Sequence, residues 1–542
     1  MPGERVEPAE PDVDVLIVGA GPTGLTLAAQ LARYRTSFRI VDRQLDRVHE
    51  SRALAVQPRT LEVLAGLGVS EEMIERGNRA VHVQMHFGRR TVPVQLFDVG
   101  LDDTAYPYLL FLAQAETERI LGAYVASRGG RLERGVELTE LVQTDRAVSC
   151  RLRHRDGRTE VLNARYVVGC DGAHSAVREL AGIAFEGSAY PQTFVLADLE
   201  ADGIEPGSAH AFIAANGILF FFPLGVPATW RLLAMRPRTD APTLERPVTL
   251  GEVQALVDAY VPNPVRVRDP VWMTNFRLHN RGAVRYRAGR VFLAGDAAHI
   301  HSPAGGQGMN TGIQDSVNLG WKLALVTKGF ADPSLLDSYE PERAPVGRFV
   351  LRGTDRVFTV ATSRSPVLRF ARTQIVPRLA PLVARGRAGR RYGFRLVSQL
   401  GVRYRSSPLS VDGPDAPRRG PRAGDRLPDA PVSRDGEPGT LHRVVGSPGF
   451  HLLLCGPTSR WSLAAAVRDL DCYAGLVTVH HLTRDVAPDT VRDDTGLAMH
   501  RLGVHDAQPV LILVRPDGHL GYRGGDPAGL VAYLDAWLRP AP

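Results

Sequence analysis

Residues Val291 to Asn310 read VFLAGDAAHIHSPAGGQGMN: an apolar run ending on an acid, a loop of small residues, then the start of a helix. The run Val291–Ala294 predicts a buried strand. It would deliver Asp296 to the carboxyl edge of a sheet, where open α/β sheets bind ligands. Gly305, Gly306 and Gly308 carry no side chains to obstruct close contact with a flat ligand. The helix predicted from Gly308 to about Lys328 aims unpaired N–H groups at the same place, and such a terminus favours negative charge.

A second signature lies near the N-terminus. Asp14–Val18 predicts a buried strand running into Gly19-Ala20-Gly21-Pro22-Thr23-Gly24, with a helix over Leu25–Tyr34. The first glycine permits a tight turn, the second lets backbone approach a pyrophosphate, and the third allows close helix–strand packing. Phe38–Val41 predicts the next strand, ending at Asp42, whose carboxylate is placed to accept hydrogen bonds from a ribose. Strand, glycines, helix, strand and acid in this order specify a dinucleotide site. Further on, Tyr166–Arg178 (YVVGCDGAHSAVR) predicts a strand, a turn and a helix start with Ser175 as its cap.

Together the three stretches resemble the class A FAD-dependent aromatic monooxygenases, of the para-hydroxybenzoate hydroxylase fold. Gly19, Gly21 and Gly24 with Asp42 match that family's FAD fingerprint, Asp171-Gly172 its shared FAD and NADPH motif, and Gly295-Asp296 its ribityl-binding motif. The resemblance continues through Arg52, Arg59–Leu64, Gln114 with Glu118-Arg119, and Asn318–Leu323, covering most of residues 12–350. One departure is visible: the family usually places Glu where this chain has Asp42, a carboxylate one methylene shorter.

The resemblance implies an α/β architecture with a discontinuous Rossmann-like FAD-binding domain (residues 12–80, 112–185 and 278–405). Residues 81–111 and 186–277 would form an inserted β-sheet substrate domain. Within them Ala211–Ala215 and Ile218–Phe222 flank Asn216-Gly217, a strong hairpin signal. Phe220, Phe221 and Phe222 cannot all face one way, so this run lines a core or an apolar pocket. Residues 406–428, rich in Pro, Gly, Arg and Asp, read as a linker. Residues 429–542 alternate strand-like and helical segments, among them Phe450–Leu454, Ser462–Asp469, Gly475–Val479, Val510–Val514 and Pro527–Leu538. This part resembles the thioredoxin-like C-terminal domain of phenol hydroxylase and the aromatic polyketide hydroxylases. Cys455 stands alone there, without a resolving thiol, so a structural or dimerisation role, compatible with a homodimer, is expected in place of redox activity.

Composition agrees with a soluble enzyme. The chain has 542 residues, 44% apolar and 23% charged, enough for two or three domains. No run reaches the length of a membrane span, residues 1–11 lack a signal peptide's apolar core, and a cytoplasmic location is expected. Cys150, Cys170, Cys455 and Cys472 form no CxxC and no metal-ligand spacing. The formal charge of +7 is spread over dispersed arginines, so neither nucleic acid nor a membrane is expected as partner.

The resemblance also assigns roles. Asp296 would accept from the ribityl chain, Gln114 would bond the ribityl or pyrophosphate, and Asp171 would hold its turn. Arg52 would serve the FAD diphosphate, where a permanently charged fork suits phosphate. Pro303 would flank the flavin's reactive edge, so Pro303 and Arg52 are the residues placed nearest the chemistry. Pro22, Thr23, Arg43, Gly306, Gly308, Met309 and Asn310 complete the expected cofactor site. Reduced flavin is anionic at its N1–C2=O edge, which a helix N-terminus at Gly308–Asn310 would stabilise.

The implied activity is NAD(P)H- and O2-dependent hydroxylation of a phenolic polycyclic, polyketide-type small molecule through a flavin C4a-hydroperoxide. Only one dinucleotide fingerprint is present, so NADPH or NADH would visit the flavin transiently; Arg39, Arg43 and Arg52 permit the extra phosphate of NADPH. Baeyer–Villiger oxidation, epoxidation or antibiotic inactivation would use the same motifs, and a non-catalytic flavin-binding protein would need a closed pocket. A flavin halogenase is disfavoured by the lack of a Trp-x-Trp-x-Ile-Pro segment. His299 and His301, two apart in a loop, lack a third ligand and read as turn-packing or substrate-adjacent residues. His82 and His86 read as a solvated strand face with Gln84. Trp230, Trp272 and Phe276 are first explained by packing, and no residue is marked as a catalytic base.

Overall fold

The computed structural model describes residues 10–46, 53–80, 82–88, 90–94, 101–214, 217–225, 228–236, 246–301, 306–362, 397–461, 470–505 and 509–540, with isolated positions between 363 and 396. At the centre of the first sheet, strand Val13–Val18 runs parallel between Phe38–Asp42 and Thr159–Gly169, and Val291–Leu293 extends the sheet beyond the latter. Val15 to Val18 are buried, as a strand covered on both faces requires. Gly19, Asp42, Asp171 and Asp296 therefore follow the carboxyl ends of neighbouring parallel strands, and the distant motifs meet along one edge.

Two helices back this edge. Pro22–Arg33 starts directly after the glycine turn, and Gly308–Thr327 packs against it. Every residue from Asn310 to Thr327 is buried, so this helix is core on all sides. Close approach depends on missing side chains: a Cβ on Gly320 would stand 2.7 Å from Gln30 Cβ, and one on Gly312 2.3 Å from Thr23 Oγ1.

The inserted sheet follows the order His299–Ile300, Arg266–Ala283, Phe185–Asp202, Trp230–Met235, Gly217–Pro223, Ala209–Ala214, Val83–Phe87 and Arg90–Val94. Ala214 pairs with Gly217 across the expected hairpin, whose residues 215–216 lie outside the described residues. Alternation divides its aromatics as strand geometry demands. Phe221 joins the core under helix Leu250–Tyr260, while Phe220 and Phe222 pack on the opposite face with Phe194, Phe276 and Trp272.

Three expected boundaries shift. Strand Arg266–Ala283 carries the inserted sheet past residue 277 and pairs at its end with His299–Ile300, so parts of 278–405 belong to that sheet. Leu109–Phe111 pairs on one side with Asn78–Ala80 and on the other with Ala55–Val56 in a separate small sheet. Residues 406–428 are not a bare linker either. Val411–Asp412 pairs in parallel with Leu520–Gly524, and Leu409, Ala423 and Leu427 are buried. Their Pro and Gly content serves tight packing against the last domain.

That domain is built on Phe450–Cys455, parallel to Val477–Thr483 and antiparallel to Val510–Val514, and it ends in helix Pro527–Trp537. The expected helix Ser462–Asp469 lies outside the described residues. Cys455 is fully buried, and burial pushes its thiol far above the ordinary value, so the nucleophilic thiolate is suppressed. All four cysteines are free.

The domain docks through buried charge. Arg515 donates to both carboxylate oxygens of Glu342 (2.6 and 2.9 Å) and to Asp517 (2.6 Å). Lys322 and Asn318 on the long helix also reach Glu342, each at 2.7 Å. Arg59 donates to the Asp517 carbonyl at 2.6 Å, and Arg426 bridges Glu62 and Asp103. Burial alone would raise the Glu342 carboxyl, but Arg515 and Lys322 hold it well below its usual range. Burial pushes the Lys322 ammonium down to about 8 against the pull of Glu342. Asn318 and Lys322, met in the sequence as parts of motifs, thus fasten the C-terminal domain to the helix whose other end faces the candidate site, and Arg59 and Glu62 fasten it to helix Pro58–Ala65.

Candidate active site

The three fingerprint glycines have three different surroundings. A Cβ on Gly19, whose φ is +102°, would stand 2.3 Å from the Cys170 carbonyl oxygen, and one on Gly24 would stand 1.9 Å from the Gly19 carbonyl oxygen. One on Gly21 meets nothing within 4 Å. The outer glycines close the turn, and the middle one faces open space. Gly21 caps helix Pro22–Arg33 without any side-chain hydrogen bond, so the first N–H groups of that helix also point outward. Pro22 occupies the first turn, where its missing N–H costs nothing.

Asp42 braces this turn by accepting from Ala20 N–H and Gln44 N–H, both at 2.8 Å. One bond falls on each carboxylate oxygen, which leaves each a further lone pair. Arg43 beside it is exposed. Arg39 is already spent: it binds Glu133 at 2.6 and 2.7 Å and Glu160 at 2.5 Å, so it offers no free fork to a cosubstrate phosphate. Thr23 turns its side chain into the contact between Gly295 and Gly312, leaving its backbone to the site. Gln114 opens helix Gln114–Ser127, donates to Glu118 at 2.8 Å and accepts from Ala53 N–H at 3.4 Å.

Asp171 holds the neighbouring turn. Ser175 Oγ donates to it at 2.5 Å and Val177 N–H at 3.2 Å, and Ser175 caps helix Ala176–Leu180 as expected. Burial raises the Asp171 carboxyl, and these donors oppose the shift. Arg178, unassigned in the sequence, ties this turn to the next by donating to the carbonyls of Ala173 (3.0 Å) and Ala297 (3.1 Å). Asp296 is exposed on the short helical turn Gly295–Ala297, not buried at a strand end. Strand Val291–Leu293 stops earlier than expected because Gly295, at φ +62°, starts the turn.

Helix Gly308–Thr327 begins at Gln307 with no side-chain cap, so its terminal N–H groups are open. Gly306, at φ +61°, lies so near the Ala55–Val56 strand that a Cβ would stand 2.6 Å from Ala55 Cβ. Met309 packs on the core. The Asn310 side chain is buried and engaged within the protein: it accepts from Gln57 N–H (2.8 Å) and donates to the carbonyls of Ala55 and Gly306 (2.7 Å each). Only its backbone is left to face a ligand.

Behind the loop sits a network that the sequence reading missed. Asp315 accepts from Gly295 N–H (3.0 Å), His299 Nε2 (2.7 Å) and Arg343 Nε (2.7 Å). Burial would raise Asp315, but Arg343 and then His299 hold it below the usual carboxylate range. Its one sequence signal is a lone acid in an otherwise core-like helix.

The sheet face carrying Phe220, Phe222, Phe276 and Trp272 also carries a buried ion pair. Arg231 binds both oxygens of Asp198 (2.6 and 2.7 Å), Trp272 Nε1 donates to Asp198 at 2.9 Å, and Arg231 donates to the Ala53 carbonyl at 3.0 Å. Trp230 packs on the other face. His86 is not merely solvated: it bonds Thr91 and His210 and stacks on Phe212, with centroids 4.2 Å apart.

Pro303 and Arg52 lie outside the described residues. Among the described residues no group of His, Cys, Asp and Glu could hold a metal, and no helix is long and apolar enough to cross a membrane. A cavity of about 480 Å³ lies elsewhere, against the C-terminal domain, lined by Arg33, Glu62, His442 and Asp517 at the far end of the first helix.

Comparison with known proteins supports one assignment. Residues 12–354 match the FAD binding domain family, and residues 420–541 match the aromatic-ring hydroxylase C-terminal family. The 6-methylpretetramide 4-monooxygenase of Streptomyces rimosus is 36% identical over 526 residues, covering 94% of this chain and 90% of that protein. The anhydrotetracycline hydroxylase structure from the same species superposes with a TM-score of 0.77 at 31% identity, covering 98% of this chain and all of that one. A ternary complex of aklavinone-11 hydroxylase with FAD and aklavinone also gives 0.77, at 27% identity, covering 98% of this chain and 99% of that one. With the three motifs converging on one sheet edge and both halves of the chain matched, this protein belongs to the FAD-dependent aromatic-ring monooxygenases of the para-hydroxybenzoate hydroxylase fold.

Proposed function

We propose that this chain hydroxylates a phenolic, polycyclic aromatic small molecule of polyketide type, consuming NAD(P)H and O2. One observation carries the reading: an open glycine turn and two helix N-termini without side-chain caps converge at one sheet edge, beside an inserted sheet with an aromatic face. FAD fits this edge. Gly21 and the first turn of Pro22–Arg33 would take the pyrophosphate, the spare lone pairs of Asp42 a ribose, and Asp296 the ribityl hydroxyls. Backbone N–H groups of Gly308–Asn310 would face the pyrimidine edge, and the roles that the family resemblance gives Arg52 at the diphosphate and Pro303 at the reactive edge are kept as part of this proposal. When bound, FAD supplies the electron transfer and oxygen activation that no side chain can. The chain's own tasks are to hold the aromatic ring, exclude water and place charge. Four free thiols fit action in the reducing cytoplasm.

Replacing Asp296 with Ala removes a charged acceptor worth about 1.5–3 kcal/mol. FAD is expected to bind roughly 10- to 100-fold more weakly, measured by flavin fluorescence titration; an unchanged dissociation constant removes Asp296 from the site. The function is tested by supplying the holoenzyme with NADPH or NADH, isotopically labelled O2 and a panel of phenolic polycycles. A product gaining one labelled oxygen on a ring carbon, located by NMR, supports hydroxylation. Ring expansion or an epoxide redirects the assignment to another use of the same cofactor.

A further inference from the structure

The loop before the cradle helix ends a hydrogen-bonded chain whose proton positions follow from its chemistry. Asp315 pairs with Arg343 and accepts from Gly295 N–H, so it is a carboxylate and His299 Nε2 must carry the proton pointing at it, at 2.7 Å. With its ring proton on Nε2, His299 offers Nδ1 as an acceptor. Its partner is His301 Nε2 at 3.1 Å, so His301 is the donor there. The same logic leaves His301 Nδ1 without a proton. Among the described residues, that nitrogen is a neighbour of the cradle helix's first residue: a Cβ built on Gly308 would stand 3.6 Å from it. His299 and Asp315 are sealed from solvent, whereas His301 retains 9% exposure. The order is a buried anion, a buried imidazole, then an accepting nitrogen at the loop.

We propose that His301 is the base that takes the hydroxyl proton of an aromatic substrate, with His299 and Asp315 as the positioning pair behind it. This rests on the hydroxylase reading and supplies the base that sequence inspection left unnamed. The substrate O–H bond breaks as the His301 Nδ1–H bond forms. The proton on His301 Nε2 passes to His299 Nδ1, and the positive charge settles beside the Asp315 carboxylate. The substrate is left as the electron-rich phenolate. Charge held directly on His301 is disfavoured, since burial pushes its pKa well below the ordinary value while Asp315 opposes. Handing the charge inward answers that cost. The groups facing the relay are Arg343, which shares Asp315, and Tyr286, stacked on His299 with centroids 5.9 Å apart.

The test uses the FAD-loaded enzyme and a hydroxyanthraquinone that it binds, whose visible band shifts on ionisation. In the wild type the bound dye is expected to ionise at least about one pH unit below the free dye, a tenfold change in its equilibrium. In His301→Gln that displacement should vanish, and kcat with a turned-over phenol should fall about 10²-fold near neutrality, recovering as pH approaches the phenol's own pKa. A wild-type dye that ionises as it does in water, or a variant that keeps the shift, overturns the proposal. A wild-type dye that ionises as it does in water overturns the proposal even where the variant does not fold. FAD content is recorded in each preparation: a wild type without flavin refutes the cofactor reading instead.

Discussion

An Arg515→Ala enzyme is expected to lose about 3–5 kcal/mol of stability, because removing one partner of a buried ion pair leaves uncompensated charge behind. Arg515 is fully buried and neutralises two carboxylates at once, Glu342 and Asp517. Lys322 alone cannot replace it. Its single ammonium already serves Asn318 and Glu342. The loss should spread beyond the C-terminal domain, since Glu342 and Lys322 fix the helix whose opposite end is the proposed flavin cradle. Thermal unfolding followed by flavin release should therefore shift to lower temperature together with loss of tertiary circular dichroism. An unchanged melting profile would show that the network contributes little.

Acid should act on the same network. The Glu342 carboxyl is depressed in the folded state, so its contribution is present above the unfolded carboxyl pKa and is lost as pH falls toward the folded value. Arg515→Ala should blunt that part of the acid sensitivity.

Gly24→Ala is the second large effect. The new methyl group would lie 1.9 Å from the Gly19 carbonyl oxygen, a backbone atom that no side-chain rotation can move away. Either helix Pro22–Arg33 lifts from the sheet or the turn opens. Overpacking of this kind costs about 1–3 kcal/mol, occasionally more. Because the displaced atoms are the turn itself, FAD affinity should fall by roughly 10- to 100-fold, at about 1.4 kcal/mol per tenfold. Gly21→Ala is the informative contrast. Its methyl group meets no protein atom, so the melting temperature should hold while FAD binding weakens, the methyl projecting where the pyrophosphate would lie. If Gly24→Ala binds FAD as tightly as the wild type, the turn is not the phosphate cradle.

The parts legible in the sequence are those where local chemistry decides structure. Gly19, Gly21 and Gly24 after an apolar strand leave few alternatives, and Ser175 could be read as a cap because its hydroxyl must satisfy a helix N–H. The hairpin was signalled by Asn216-Gly217 between two strand-like runs, and the division of Phe220, Phe221 and Phe222 followed from strand alternation. What could not be read depends on partners far apart in the chain. Arg59 meets Asp517 across 458 positions, and Arg231 meets the Ala53 carbonyl across 178. Asn310 and Arg39 were counted toward ligands because a sequence does not show that Gln57 and Glu133 have already claimed them. Composition misread residues 406–428 for a related reason: Pro and Gly mark departures from regular structure, not departures from packing.

The central claim is that the glycine turn, the Asp296 turn and the cradle helix together hold one FAD that NAD(P)H reduces and O2 reoxidises. The most direct test is the visible spectrum of the purified chain through one anaerobic reduction and readmission of air, with an aromatic substrate present. One flavin per chain is expected, with bleaching on addition of NADPH or NADH and recovery with O2 accompanied by oxygenated product. A chain that neither retains nor binds added FAD, or whose bound flavin is not bleached by either nicotinamide, contradicts the claim.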